Sequence, residues 1–147
     1  PKKFKYIIVD DIQYVMAFDF LRRAKETGYN KFTELAQSMV EIYDLLASLE
    51  NTHCFMLQHT EEIIIDGMKN TKAKTLGKLI DDKITWEGLF TIVLQTEVLT
   101  TEEGREYTFK TQNSGDSTAK SPDGMFEDLN IPNDLLLVSN AIEKYES

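Results

Sequence analysis

A chain of 147 residues, 41% hydrophobic and 28% charged, has the size and balance of a globular domain with a sizeable core. It holds no apolar run long enough for a transmembrane helix, and its basic start, PKKFK, leads into an apolar stretch too short for a signal-peptide core. Its 25 acidic against 16 basic side chains, a formal charge of −9, exclude broad nucleic-acid binding by the whole surface but leave room for a local basic patch. The single cysteine, Cys54, lies in the apolar run CFML and has no partner for an internal disulfide, which fits a reducing cytoplasm and a small buried hydrophobe.

In chain order, Tyr6–Val9 is aromatic and β-branched, and two carboxylates, Asp10 and Asp11, follow it at once. Such a run predicts a strand buried on both faces, as in a parallel sheet. Ile12 to Ala24 has apolar residues at roughly helical spacing, with Gly28 as its stop and Asn30 as a cap for the next helix. That helix, Phe32 to Leu49, is the clearest periodicity in the sequence, with Phe32, Leu35, Ala36, Met39, Ile42, Tyr43, Leu46 and Leu49 on one face. A second buried strand is expected over His53–Leu57, ending in Gln58, His59, Thr60, Glu61 and Glu62. Strand, helical region and strand in this order imply a right-handed βαβ unit with parallel strands. Asp10, Asp11, Gln58 and His59 then share one sheet edge, where ligands bind in open α/β folds.

Ile63–Ile65 continues the apolar content and Asp66-Gly67 signals a turn. Lys69, Lys72, Lys74 and Lys78 form a basic stretch, read as a solvated loop or as a phosphate or DNA contact, and a short helix is expected over Lys74–Ile84. Thr91–Leu99 and Glu106–Gln112 predict a C-terminal antiparallel hairpin. The loop NSGDSTAKSPDG, residues 113–124, is long, polar and without an apolar anchor beyond Ala119, the kind of loop that is often functional or mobile. Met125 and Phe126 return to the core, and a last helix is expected over Asn133–Tyr145.

The chemistry narrows by elimination. One Cys and two His are too few for a zinc site without several carboxylates. No nucleophile elbow supports a Ser or Cys triad, and G-x-G-x-x-G is absent. Nucleoside triphosphate hydrolysis remains. A carboxylate after a buried strand can hold Mg²⁺ in the manner of a Walker B aspartate, while a polar residue on the neighbouring strand, Gln58 or His59, senses the γ-phosphate. The phosphate cradle G-x-x-x-x-G-K-[ST] occurs nowhere in the chain.

The stretches YIIVDDIQYV, GYNKFTELAQSMVEIYDLL, HCFMLQHTEE, LFTIVLQTEV and YTFKTQNSGDSTAKSPDGMF span most of the sequence. In that order they resemble the C-terminal two-thirds of phage-encoded RecA-like P-loop ATPases. The resemblance implies one α/β RecA-like domain over residues 1–147. Its sheet would be mixed but mostly parallel, with flanking helices and a C-terminal β-hairpin, and its P-loop strand would lie upstream of Pro1. It implies Asp10 as the Mg²⁺ and nucleotide ligand, and Asp11, Gln58 and His59 as the residues that position water and sense phosphate, Gln58 also touching nucleotide. Lys120 would be a basic finger reaching across a subunit interface. ATP and Mg²⁺ are the implied cofactors. A homo-oligomer, single-stranded DNA or a phage recombination or replication protein are the implied partners. The alternative is a non-catalytic, oligomeric interaction module that keeps the α/β fold. Without the upstream strand, the first strand is expected to leave backbone groups unpaired and to favour self-association.

Overall fold

The computed structural model describes residues 4–75 and 84–147. They form a mixed α/β structure in two compact units, Pro1–Thr60 with Ala73–Trp86, and Glu61–Lys72 with Glu87–Ser147. The helix expected over Lys74–Ile84, and Lys78 with it, falls almost wholly outside the described residues.

In the first unit β1 (Tyr6–Val9) pairs in parallel with β2 (His53–Met56), in the register Tyr6↔His53 to Val9↔Met56. Parallel strands need a long crossover. Here it is built from α1 (Gln13–Arg22) and α2 (Asn30–Ala47). The apolar stripe of α2 faces inward as its spacing predicts, with Leu35 and Met39 buried together with Ile12 and Met16 from the start of α1. Arg23, just after α1, spans Glu26 and Glu34, each at 2.7 Å, and ties the end of α1 to the first turns of α2. Asn30 does not cap α2, because Tyr29 ahead of it already has helical φ and ψ and the helix starts without a side-chain cap.

The strand expected to be buried on both faces is covered on one. Ile7 and Val9 are half-buried, whereas Tyr6 is 37% and Ile8 56% exposed. Alternation of this kind belongs to a sheet with one solvated face. Among the described residues the sheet has two strands, so the continuous apolar run reflects β-propensity more than double-sided burial.

The second correction concerns sheet type. A mostly parallel sheet is not found among the described strands, where β1–β2 is the one parallel strand pair. β3 (Thr60–Ile65) and β4 (Met68–Ala73) form a hairpin across Asp66-Gly67, both with positive φ (51° and 80°), the backbone a tight two-residue hairpin demands. Lys69 and Lys72 of the basic stretch therefore lie in a strand. Lys69 lies 2.5 Å from Glu62, and Lys72 lies 3.3 Å from Glu61. The sequence MKNTKA has little β-propensity of its own, and the turn with these cross-strand ion pairs overrides that deficit.

After a short 3₁₀ turn, Trp86–Leu89, the second unit continues with the expected antiparallel hairpin of β5 (Gln95–Thr101) and β6 (Gly104–Lys110). A third strand, β7 (Asn130–Pro132), adds to β6 and was not legible, being three residues long and ended by a proline. Phe109, Ile131 and Val138 are buried in this unit, the last from α3 (Leu135–Glu146). The polar loop before β7 buries Ala119 and is otherwise held by hydrogen bonds. Thr111, 1% exposed, donates its hydroxyl to the Asp128 and Leu129 carbonyls, both at 3.0 Å, and Lys120 and Val93 exchange backbone bonds of 2.8 Å.

The Asp134 carboxylate caps α3 by accepting from the backbone N–H of Leu136 at 2.8 Å and of Leu137 at 3.3 Å. One turn on, Ser139 is fully buried and its Oγ has no hydrogen-bond partner among the described residues. Two substitutions on one helix should therefore behave oppositely in denaturant melts. Asp134→Ala should cost about 1 kcal/mol through the lost cap. Ser139→Ala should be neutral or stabilising, because it removes a desolvated hydroxyl that gains nothing in return.

Candidate functional site

The parallel pairing of β1 and β2 carries on past both strand ends. Leu57 N–H donates to the Val9 carbonyl at 2.9 Å, and Ile12 N–H to the Leu57 carbonyl at 3.1 Å. The loops after the two strands are thus stitched together, and Asp11 and His59 meet. His59 Nε2 lies 3.1 Å from Asp11 Oδ1, with side chains 56% and 44% exposed. Asp11 takes φ 53°, the left-handed region that Asp tolerates better than most residues. His59 also stands edge-on to Tyr14, with ring centroids 6.0 Å apart, and Tyr14 stacks on Phe18 along α1.

Gln13 joins the two sides, and sequence reasoning missed it. It is 7% exposed, donates Nε2–H to Asp11 Oδ1 at 3.1 Å, and accepts at Oε1 from the His59 backbone N–H at 3.3 Å. The signal for it was the position alone: a long amide in the first turn of a helix, where a side chain lies back over the preceding loop.

Of the other expected site residues, Asp10 is exposed at the end of β1. Gln58 is half-buried, its Nε2 donating to the Lys74 carbonyl at 2.5 Å. Lys120 belongs to the second unit, where its backbone bridges Val93. Among the described residues no three His, Cys, Asp or Glu side chains come together as a metal cage. That is no obstacle to Mg²⁺, which keeps several waters and needs only one or two carboxylates beside nucleotide phosphates. An exposed Asp10 fits that mode.

The second unit has its own charged cluster. Lys110 is 4% exposed, and its Nζ reaches Asp116 Oδ1 at 2.5 Å and Ser114 Oγ at 2.7 Å. The Asn113 Oδ1 accepts from the backbone N–H groups of Gly115, Asp116 and Ser117 at 2.7, 3.2 and 3.2 Å, which closes the turn that presents Asp116. Lys110 Nζ, Ser114 Oγ and Asp116 Oδ1 are turned on one another, so the cluster reads as a structural clasp. In the first unit, burial pushes the Cys54 thiol pKa up, as expected for an inert sulfhydryl.

In comparisons with known proteins no family model, no curated protein and no solved structure matches the chain. No helix among the described residues is long and apolar enough to cross a membrane.

The clasp generates a pH dependence. The Lys110 ammonium beside it holds the Asp116 carboxyl below the ordinary carboxylate range, with desolvation opposing. A depressed folded pKa stabilises above the unfolded pKa, and that contribution is lost as pH falls through the folded value. Asp116→Asn should therefore lower stability at neutral pH and flatten the acid limb of the stability curve below about pH 4. Denaturant midpoints of both proteins across that range test it; parallel curves would show that the clasp carries no charge coupling.

Proposed function

We propose that this chain is a RecA-like nucleotide-binding protein of the phage recombination or replication type, acting in the cytoplasm, and that it contributes the Mg²⁺ side of an ATP site. Asp10 holds the water-clad Mg²⁺ of the nucleotide, and Asp11 with His59 lines the position of the γ-phosphate and its attacking water. When bound, Mg²⁺ neutralises phosphate charge; the phosphate cradle comes from outside these residues. Gln58 supports the edge through the Lys74 carbonyl. Lys120 is the candidate basic finger, and a homo-oligomer or a complex on single-stranded DNA is the setting in which it acts.

The observation that carries the reading is the Asp11–His59 approach at 3.1 Å, at the carboxyl ends of two parallel strands joined by a helical crossover. Residues far apart in sequence converge at the edge where α/β sheets bind ligands. A second reading, a non-catalytic oligomeric interaction module, is favoured by one observation: Tyr6 and Ile8 leave an apolar face of β1 open to solvent.

Calorimetric titration with ATP, with and without Mg²⁺, separates the two. The first expects Mg²⁺-dependent binding, weak because the cradle is missing, that Asp10→Ala weakens by about tenfold, or 1.4 kcal/mol. Binding indifferent to Mg²⁺ or to Asp10→Ala, or no binding, accompanied by concentration-dependent assembly, would favour the interaction module.

A further inference from the structure

We propose that Gln13 is the positioning residue of this site, and that it locks Asp11 and His59 into one unit with the His59 proton on Nε2 and the Nδ1 lone pair directed outward. The inference rests on reading Asp11 and His59 as the site, but not on the identity of the nucleotide.

The argument starts from lone pairs. A carboxylate oxygen is acceptor-only, and a neutral imidazole has one N–H and one bare nitrogen. With Nε2 3.1 Å from Asp11 Oδ1, a bare Nε2 would set two lone pairs face to face. The proton therefore sits on Nε2, and Nδ1 becomes the acceptor. Nothing in this requires burial, and an exposed pair of this kind has little energy with which to hold its own geometry. The geometry has to come from elsewhere.

Gln13 supplies it from both ends. Its amide N–H fixes Oδ1, the same oxygen that faces His59, and its amide oxygen fixes the His59 backbone. A glutamine that is 7% exposed cannot swing into solvent to satisfy these groups differently. Its donor and acceptor are not interchangeable here, because a carboxylate accepts and a backbone N–H donates. The amide orientation is thus dictated by its partners, and through it the separation of the two strand-end loops at the level of the side chains. Tyr14, the next residue along α1, packs T-shaped against the ring. Nδ1 is bonded to none of the described residues and can take a hydrogen bond from a water or a ligand hydroxyl. Functional groups need a support whose rotamer is itself locked, and Gln13 has that character.

The test is the tautomer of His59, read without any ligand. Long-range ¹H–¹⁵N correlation spectra of the full chain report which imidazole nitrogen carries the proton, and a His53→Gln variant assigns the two histidines. At a pH where both rings are neutral, His59 in the unaltered chain should show the proton on Nε2 alone, while His53 serves as the internal reference. In Gln13→Met, which keeps the length of the side chain and removes both hydrogen bonds, the Nδ1–H form should appear, and the His59 amide should exchange with solvent at least about tenfold faster. A Nδ1–H form already present in the unaltered chain would overturn the proposal. So would a folded Gln13→Met protein in which His59 keeps a single Nε2–H form, for that would make Gln13 merely structural. Should Gln13→Met fail to fold, Asp11→Gly removes the carboxylate at a half-buried position whose φ of 53° glycine adopts freely, and should release the tautomer in the same way; an unchanged spectrum there refutes the lone-pair argument directly. None of these outcomes depends on ATP, so a failed nucleotide titration and a failed tautomer lock are separate results.

Discussion

The first unit depends on one constraint, the parallel register of β1 on β2. Side chains alternate along a strand, so a slip of one residue would exchange the half-covered Ile7 and Val9 for Tyr6 and Ile8. It would also move the ends of the strands past one another by about 3.3 Å, enough to part Asp11 from His59. The backbone bonds from Leu57 to Val9 and from Ile12 to Leu57 extend the register into the loops. They also place Ile12, 1% exposed, where α1 begins. Core, crossover and candidate site are thus fixed by the same few hydrogen bonds.

The second unit solves a different problem with different means. It has fewer large apolar side chains to bury in its long connection, and it uses hydroxyls and amides to satisfy the backbone. Thr111, Gln112, Asn113 and Ser121 between them bind carbonyl and N–H groups that a strand ladder would otherwise satisfy. Such a loop is ordered by specificity of pairing, and its order costs little hydrophobic surface. Lys110 shows the same economy: its stem is buried and its ammonium is met by Asp116 and Ser114.

The elements with strong periodicity were legible. The α2 stripe, the strand–helix–strand order and the C-terminal hairpin follow from spacing of residue types, and of the four residues expected to share the sheet edge Asp11 and His59 meet. What escaped was set by pairing. Nothing intrinsic to MKNTKA marks it as β4; the Asp66-Gly67 turn and its partner strand do. β7 is too short to have a period. Double-sided burial of β1 was expected from composition, but burial depends on how many neighbours the sheet acquires, which a single run does not encode. Within the site, Asp10, Gln58 and Lys120 stand out in the sequence as polar residues at strand ends or in a loop. Gln13, a neutral amide in the first turn of a helix, bonds both Asp11 and the His59 backbone and carries no compositional flag.

The β3–β4 hairpin changes the meaning of the basic stretch. Read linearly, Lys69 and Lys72 belong to a run of lysines with no acidic residue among them; folded, each faces a glutamate on the adjacent strand, Glu62 and Glu61. A phosphate approaching either lysine also meets a resident carboxylate, so the contact is weaker than one with a free lysine. The attraction this hairpin exerts on a polyanion is correspondingly short in range and shallow in its dependence on salt. Selectivity among anions would then depend on which of them outcompetes a carboxylate in that geometry.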